Sequence, residues 1–430
     1  MLVASKNSTL LLCCLLLIGG TALKRCAREQ GGGQCPDDNT CCRISDGNSG
    51  CIPSDLGADN ATCCSTRGGC GVGYACVGLD TCQAPPSITD PLVQTLPQYQ
   101  LCQLHQNTTI HEFPMGTNNN HATLPSLAYY SSHGDVSMLE EPERGVRRAK
   151  GIIVVHGSER NADDYLCSLL AHHRDDETTV IIAPWFAACS DGSVTDTMLC
   201  WDVIKDPNGP WRYGADATRG VGSFDAMDHL VSHLLTKVEQ LTLVGHSSGG
   251  QFVQRWSLLT TVWDNRQTRA IVANPSSYAY LSPERHYDGQ WQQPKADCDA
   301  YNQWEWGLDL ANWTIDKAPY VASILQSITD DVLIDRFRAR QMIYLIGGQD
   351  QCTGHAWCDS HGLETLCQDQ LQGYNRLERQ NRYLAHLGRM DVPFEHHVVP
   401  AVGHDHSLMF NSAIGRQVIF GDKVPFRNVA

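Results

Sequence analysis

The fold turns on eleven residues, Leu241-Thr242-Leu243-Val244-Gly245-His246-Ser247-Ser248-Gly249-Gly250-Gln251. The run LTLV predicts a short buried strand, and the apolar spacing that follows, through residue 259, predicts a helix. Between the two stands Gly245-x-Ser247-x-Gly249. A strand that turns this abruptly into a helix forces its central residue into a strained backbone conformation, and small flanking residues let strand and helix close around it. A serine held there has its hydroxyl lifted above the sheet edge. The helix behind it points its positive end at the reacting oxygen.

Outward from this turn, short apolar runs alternate with helical patterns. Residues 151–155 (GIIVV), 180–183 (VIIA), 270–273 (AIVA), 342–346 (MIYLI) and, more weakly, 396–399 read as further strands. Residues 163–172, 223–237, 251–259 and 370–387 read as helices. Runs apolar on both faces, joined through helices, predict an α/β domain with a mostly parallel sheet.

A serine hydroxyl is a weak nucleophile and needs a base. When the serine sits on such a turn, an acid and then a histidine follow it in chain order. His404 stands in Val402-Gly403-His404-Asp405-His406, just beyond the last expected strand, and His406 is its rival. Gly403 favours His404, because a tight loop presents the next side chain. Asp350 ends Ile346-Gly347-Gly348-Gln349-Asp350 at the carboxyl end of the preceding strand, with Asp359 as its rival. Its role would be to fix the imidazole tautomer and stabilise the imidazolium. An oxyanion needs two N–H donors. Ser248, the residue after the nucleophile, supplies one candidate, and Ser158, in His156-Gly157-Ser158 after the first long strand, supplies the other. His156 itself reads as a structural histidine beneath the site.

From about residue 150 onward the chain resembles the α/β-hydrolase family, and more narrowly its secreted esterase and polyhydroxybutyrate-depolymerase-like branch. The residues that carry the resemblance are His156-Gly157-Ser158-Glu159-Arg160-Asn161, the 245–251 turn, Asn274-Pro275-Ser276-Ser277-Tyr278, Gln372-Gly373-Tyr374-Asn375-Arg376 and Gly403-His404-Asp405. The resemblance implies a serine hydrolase that cleaves a small or polymeric carboxylic ester through an acyl-enzyme, with catalytic Ser247, Asp350 and His404 and no metal or organic cofactor. The rival readings are a peptidase on the same fold and a non-catalytic binding protein.

Two other constellations invite a function. Cys352, His355, Cys358 and His361 recur every three residues. In an oxidising compartment bridged cysteines, with Cys367 as a candidate partner, are favoured over zinc. Trp185, Phe186, Trp201, Trp211 and Tyr213, with Trp291, Trp304, Trp306 and Trp313, would line a cleft or pack an insertion on itself.

The N-terminal part differs in kind. Residues 1–22 read as a secretory signal: Lys6 supplies the charge, residues 10–18 (LLLCCLLLI) are apolar but too short to span a bilayer, and Gly20-Thr21-Ala22 suits cleavage. An uncleaved signal anchor is the alternative. No later run reaches membrane-spanning length, so stable membrane insertion of the mature chain is not expected. Export would place the 20 cysteines in an oxidising, extracellular setting, and Asn60, Asn107 and Asn312 open glycosylation sequons. A formal charge of −15 without a basic run disfavours nucleic acid as a partner.

Residues 23–82 hold ten cysteines, Cys26, Cys35, Cys41, Cys42, Cys51, Cys63, Cys64, Cys70, Cys76 and Cys82, and too few large apolar side chains to fold without disulfides. The Cys-Pro-x4-Cys-Cys opening at 35–42 and the Gly-Tyr-x-Cys close at 73–76 resemble a granulin module, with Ile52 and Gly71 standing where two further cysteines would be. The resemblance implies the pairs Cys26–Cys41, Cys35–Cys51, Cys42–Cys63 and Cys64–Cys76, which leaves Cys70 to join Cys82. Such a module would bind a surface or a protein partner. Residues 83–98, with four prolines, read as a linker, and residues 99–430 as the hydrolase domain.

Overall fold

Each of the six expected strands is present, lengthened by one to a few residues, in a computed structural model. It describes residues 109–421 apart from 117–123, 140–147, 174–177, 205, 288, 295–297 and 353–362, together with short strands between 24 and 83. The chain divides into two compact units, Met1–Thr95 with Gln351–Gly362, and Leu96–Asp350 with Leu363–Ala430. In the first, three antiparallel ribbons are described: Lys24–Arg25 with Gln34–Cys35, Asn39–Arg43 with Ser49–Pro53, and Ala75–Cys76 with Cys82–Gln83. The expected signal, the side chains of the ten module cysteines and their pairing, most of the linker, Asn60 and Asn107 lie outside the described residues.

The second unit is built on one eight-stranded sheet. Its strands are β1 (His111–Pro114), β2 (Ser126–Ser131), β3 (Arg148–Val155), β4 (Thr179–Pro184), β5 (Val238–His246), β6 (Thr268–Ala273), β7 (Met342–Gly347) and β8 (Glu395–Val399). They lie in the order β1-β2-β4-β3-β5-β6-β7-β8. β2 runs antiparallel to both neighbours, and every pairing from β4 to β8 is parallel. The sequence reading lacked β1 and β2.

Alternation along the strands feeds two cores. Ile153 and Val155 of β3, Leu243 of β5 and Val272 of β6 pack on one face with Leu230 and Phe252. Ile152, Val154, Val244 and Ile271 pack on the other with Leu166, Phe410 and Ile419. The period of two in a strand sends neighbouring side chains to opposite faces, so a central strand must be apolar throughout. The helices are α1 (Ala162–His173), α2 (Ser223–Leu235), α3 (Ser248–Leu259), α4 (Asn312–Lys317), α5 (Pro319–Ser327), α6 (Asp330–Arg338), α7 (Cys367–Gln370), α8 (Arg376–Arg389), α9 (His406–Asn411) and α10 (Ala413–Phe420). The sequence predicted one helix over 370–387. The chain instead breaks at Gly373, whose φ of +142° suits glycine, and restarts where the Asn375 side chain accepts the N–H of Glu378 at 2.8 Å.

The segment between β6 and β7 carries α4–α6. Cys367, which the sequence offered as a partner for the 352–361 cysteines, is instead bonded to Cys298 of this segment; Cys189 pairs with Cys200. Cys352 is also disulfide-bonded, while His355, Cys358, Asp359 and His361 lie outside the described residues. Most of the aromatic residues serve as packing. Trp201, Trp211 and Trp304 are fully buried, and Phe186 stacks on Trp211 at 5.0 Å. Beside them Arg212 faces Glu364 at 2.8 Å and Glu305 at 3.5 Å, and Arg255 faces Glu305 at 3.2 Å. Among the described residues no helix is long and apolar enough to cross a membrane.

Candidate active site

Ser247 links the end of β5 to the start of α3 with φ 59° and ψ −122°, a strained setting for a residue with a side chain. Close approach explains its two glycines. A Cβ on Gly245 would stand 2.1 Å from the Gly249 carbonyl oxygen, and one on Gly249 would stand 2.1 Å from that of Val155. The Ser247 N–H is tied to the Ala273 carbonyl at 3.0 Å, which fixes the turn against the end of β6.

Asp350 and His404 come from neighbouring strand ends stitched together by the backbone. The N–H of Gly348 donates to Val399 O and that of Gln349 to Val402 O, each at 2.9 Å. His404 Nδ1 lies 2.7 Å from Asp350 Oδ2, and His404 Nε2 lies 2.9 Å from Ser247 Oγ. An ionised carboxylate only accepts, so Nδ1 carries the proton and Nε2 is left to accept from the serine hydroxyl. The side chains of His404 and Asp350 are 2 % and 0 % exposed, so the three groups meet with little water between them. Burial pushes the Asp350 carboxyl up, but the charges of His404 and Arg376 and the hydrogen bonds from His404 and Asn274 outweigh it and hold it at about 2. The acid is therefore charged at any working pH.

The rival histidine does something else. His406 lies flat on Tyr165, ring centroids 4.0 Å apart, with its Nε2 3.6 Å from Asp164 Oδ2. Ser248 is the first residue of α3, and the first intrahelical acceptor, Ser247 O, serves the N–H of Gln251. The Ser248 N–H thus has no acceptor inside the helix. The loop after β3 passes beside Ser247: a Cβ on Gly157 would lie 3.6 Å from that of Ser247. His156 anchors this loop. Its Nδ1 donates to Gly157 O at 2.7 Å and its Nε2 accepts the N–H of Phe186 at 3.0 Å. Burial pushes its imidazole down to about 4, which keeps it neutral. Ser158 follows, partly exposed.

Two residues quoted above without a role touch the acid. Asn274 Nδ2 donates to Asp350 Oδ2 at 2.6 Å, and Arg376 Nη1 stands 3.5 Å from Asp350 Oδ1. An asparagine between a strand end and a proline was the only signal for the first. The described residues contain no group of three metal-ligating side chains.

No family model matches the chain, and no curated protein matches it. Solved structures similar to it include a poly(3-hydroxybutyrate) depolymerase from Bordetella parapertussis, 19% identical over 76% of this chain and 95% of that one, with a TM-score of 0.47. A poly(aspartic acid) hydrolase-1 from Sphingomonas sp. KT-1 is 18% identical over 72% of this chain and 98% of that one, with a TM-score of 0.45. A naproxen esterase (carboxylesterase NP) from Bacillus subtilis is 12% identical over 78% and 99%, with a TM-score of 0.35.

Proposed function

We propose that this chain is a secreted serine hydrolase of the α/β-hydrolase family that cleaves carboxylic esters. The observation that carries the reading is the unbroken series from Ser247 Oγ through His404 to Asp350, with links of 2.9 and 2.7 Å. The reversed second strand of the sheet, the turn at 245–249 and the chain order Ser, Asp, His support the family.

Ser247 Oγ attacks the ester carbonyl carbon while its proton passes to His404 Nε2. Asp350 steadies the imidazolium, and the N–H groups of Ser158 and Ser248 receive the developing oxyanion. The tetrahedral species collapses, His404 returns the proton to the leaving alcohol, and the acyl group stays on Ser247. Water then attacks the acyl carbon with His404 as base, releasing the acid and restoring the serine. A small or polymeric ester is the substrate class, and each step uses side chains, backbone and water.

Secretion is supported by the apolar N-terminal run and by the disulfides Cys189–Cys200 and Cys298–Cys367. Asn312, exposed at the start of α4, is open to glycosylation, and Asn60 and Asn107 complete the expected set. The cysteine-rich residues 23–82 form a granulin-like module that would bind a surface or protein partner.

The test is a panel of chromogenic esters and matching amides, with Ser247→Ala beside the wild type and a fluorophosphonate probe mapped by mass spectrometry. Ester turnover should fall on the order of 10⁴-fold or more in the variant, and the probe should mark Ser247. A variant that keeps over a tenth of the rate removes the nucleophile assignment. Amides turning over faster than esters would make the chain a peptidase.

A further inference from the structure

We infer that Asn274 is a positioning residue of this site, a side chain that ties the acid, the histidine loop and the nucleophile's strand neighbour into a single geometry. The inference rests on the Ser247–His404–Asp350 reading above. Asn274 is the first residue after β6, the strand whose last residue, Ala273, holds the Ser247 N–H. It is fully buried. Its Nδ2 donates twice, to Asp350 Oδ2 at 2.6 Å and to Gly403 O, next to His404, at 3.0 Å. Its Oδ1 accepts the N–H of Gly347 at the end of β7, at 3.3 Å. One amide therefore spans the ends of β6 and β7 and the loop beyond β8.

The backbone makes this placement costly without a purpose. Asn274 has φ 48°, in the left-handed region, and it precedes Pro275, which pushes its predecessor toward extended conformations. Asparagine is the residue with amide donors that tolerates this region best. Glutamine would carry the amide one carbon too far, and aspartate would aim a second carboxylate at Asp350. Both contacts of Nδ2 bear on one proton path. Asp350 Oδ2 is the same oxygen that receives His404 Nδ1. A second donor on that oxygen fixes where its lone pairs point, and so the tilt of the imidazole. It also takes up part of the carboxylate's charge, which sets how strongly His404 holds a proton.

The substitution Asn274→Ala leaves that oxygen with one donor. His404 becomes easier to protonate and freer to tilt, so reactivity falls and its acid limb moves to higher pH. Asn274→Asp keeps the shape but cannot donate when ionised. It separates a donor role from simple filling of space.

The experiment is the fluorophosphonate labelling rate of Ser247 across pH 5–9 for wild type, N274A, N274D and S247A, with near-ultraviolet circular dichroism confirming the fold of each. It needs no knowledge of the natural substrate. We expect both Asn274 variants to label about 10- to 100-fold more slowly at saturating probe. The half-saturating probe concentration should stay within about twofold, and the acid limb of N274A should move up by half a pH unit or more. Wild-type labelling at Ser247 with N274A within about threefold and an unmoved acid limb overturns the inference alone. So does N274D matching the wild type, since space-filling then suffices. A wild type that is not labelled at Ser247 overturns the triad reading and this inference with it. If N274A fails to fold, N274D and the intermediate N274S give the same comparison.

Discussion

Asp350 and Glu305 are both buried carboxylates beside arginine, at 1 % and 5 % exposure, yet their ionisation runs in opposite directions. Asp350 is held at about 2. Burial pushes Glu305 up to about 7, although Arg212 and Arg255 pull it down, because Glu364 and Asp206 push the same way as burial. The difference is one of charge and contact together: His404 and Arg376 pull the Asp350 carboxyl down, and two hydrogen bonds add to that pull. Asp350 receives two donors within 2.7 Å on one oxygen, whereas the arginines stand 3.2 and 3.5 Å from Glu305 and Arg212 is shared with Asp206 and Glu364. A hydrogen bond made to the ionised form fixes it, and an ion pair divided among several carboxylates does not. One cluster is arranged to keep a charge in place, and the other to take up a proton at mild pH.

The comparison breaks most sharply in turnover. Asp350→Asn should lower the rate about 10⁴-fold, since the amide turns the imidazole to the wrong tautomer. Glu305→Gln, at similar burial, should change it less than about threefold. Initial rates on one chromogenic ester decide this. Equal losses would mean that the 305 cluster belongs to the reaction.

A second contrast lies in stability against pH. The folded value for Glu305, about 7, is above its ordinary 4.5. Its contribution is therefore present below 4.5 and is lost as pH rises through 7. Asp350 falls from 3.8 to about 2, so its contribution is present above 3.8 and is lost as pH falls toward 2. Urea titrations should show Glu305 weakening the wild type, relative to Glu305→Gln, by roughly 2–3 kcal/mol between pH 5 and 8. Asp164 and Asp369, both pushed up to about 6 chiefly by burial, add in the same direction, while His156 and His386, held down at about 4 and about 3 chiefly by burial, act against it up to about pH 6.5. Glu305→Gln should flatten that slope, and Asp350→Asn the acid one. Parallel stability profiles for the wild type and Glu305→Gln between pH 5 and 8 would contradict the assignment for Glu305.

The smallest effect is expected at His406, set against its neighbour His404 in the last loop. His404→Ala should remove nearly all activity. His406→Ala should leave the rate within about threefold and cost about 1 kcal/mol from its lost stack on Tyr165. Reversed outcomes would exchange the two roles while leaving the fold untouched.

What the sequence disclosed follows from the range of the interactions involved. The turn at Ser247 and the six parallel strands were legible because strand, glycine and helix signals are local. Asp350 and His404 were legible because each stands just past a recognisable strand. β1 and β2 were missed: β1 is short and at the sheet edge, ending in Pro114, and β2 reverses direction before the alternating pattern begins. Asn274 and the Arg212–Glu305–Glu364 cluster had no local signature. Asn274 reaches across 76 residues to Asp350, and Arg212 across 152 to Glu364. Such partners meet only after the sheet has formed.

The Cys298–Cys367 bond spans 69 residues and makes a covalent ring of that part of the chain. β7 and Asp350 lie inside the ring, and Ser247 and His404 lie outside it on either side. A protease that cuts once between residues 298 and 367 therefore releases nothing, since the two pieces remain linked through sulfur. Nicked protein would run whole on a gel until a reductant is added. In an environment rich in proteases, Asp350 stays tethered to Ser247 for as long as that bond remains oxidised.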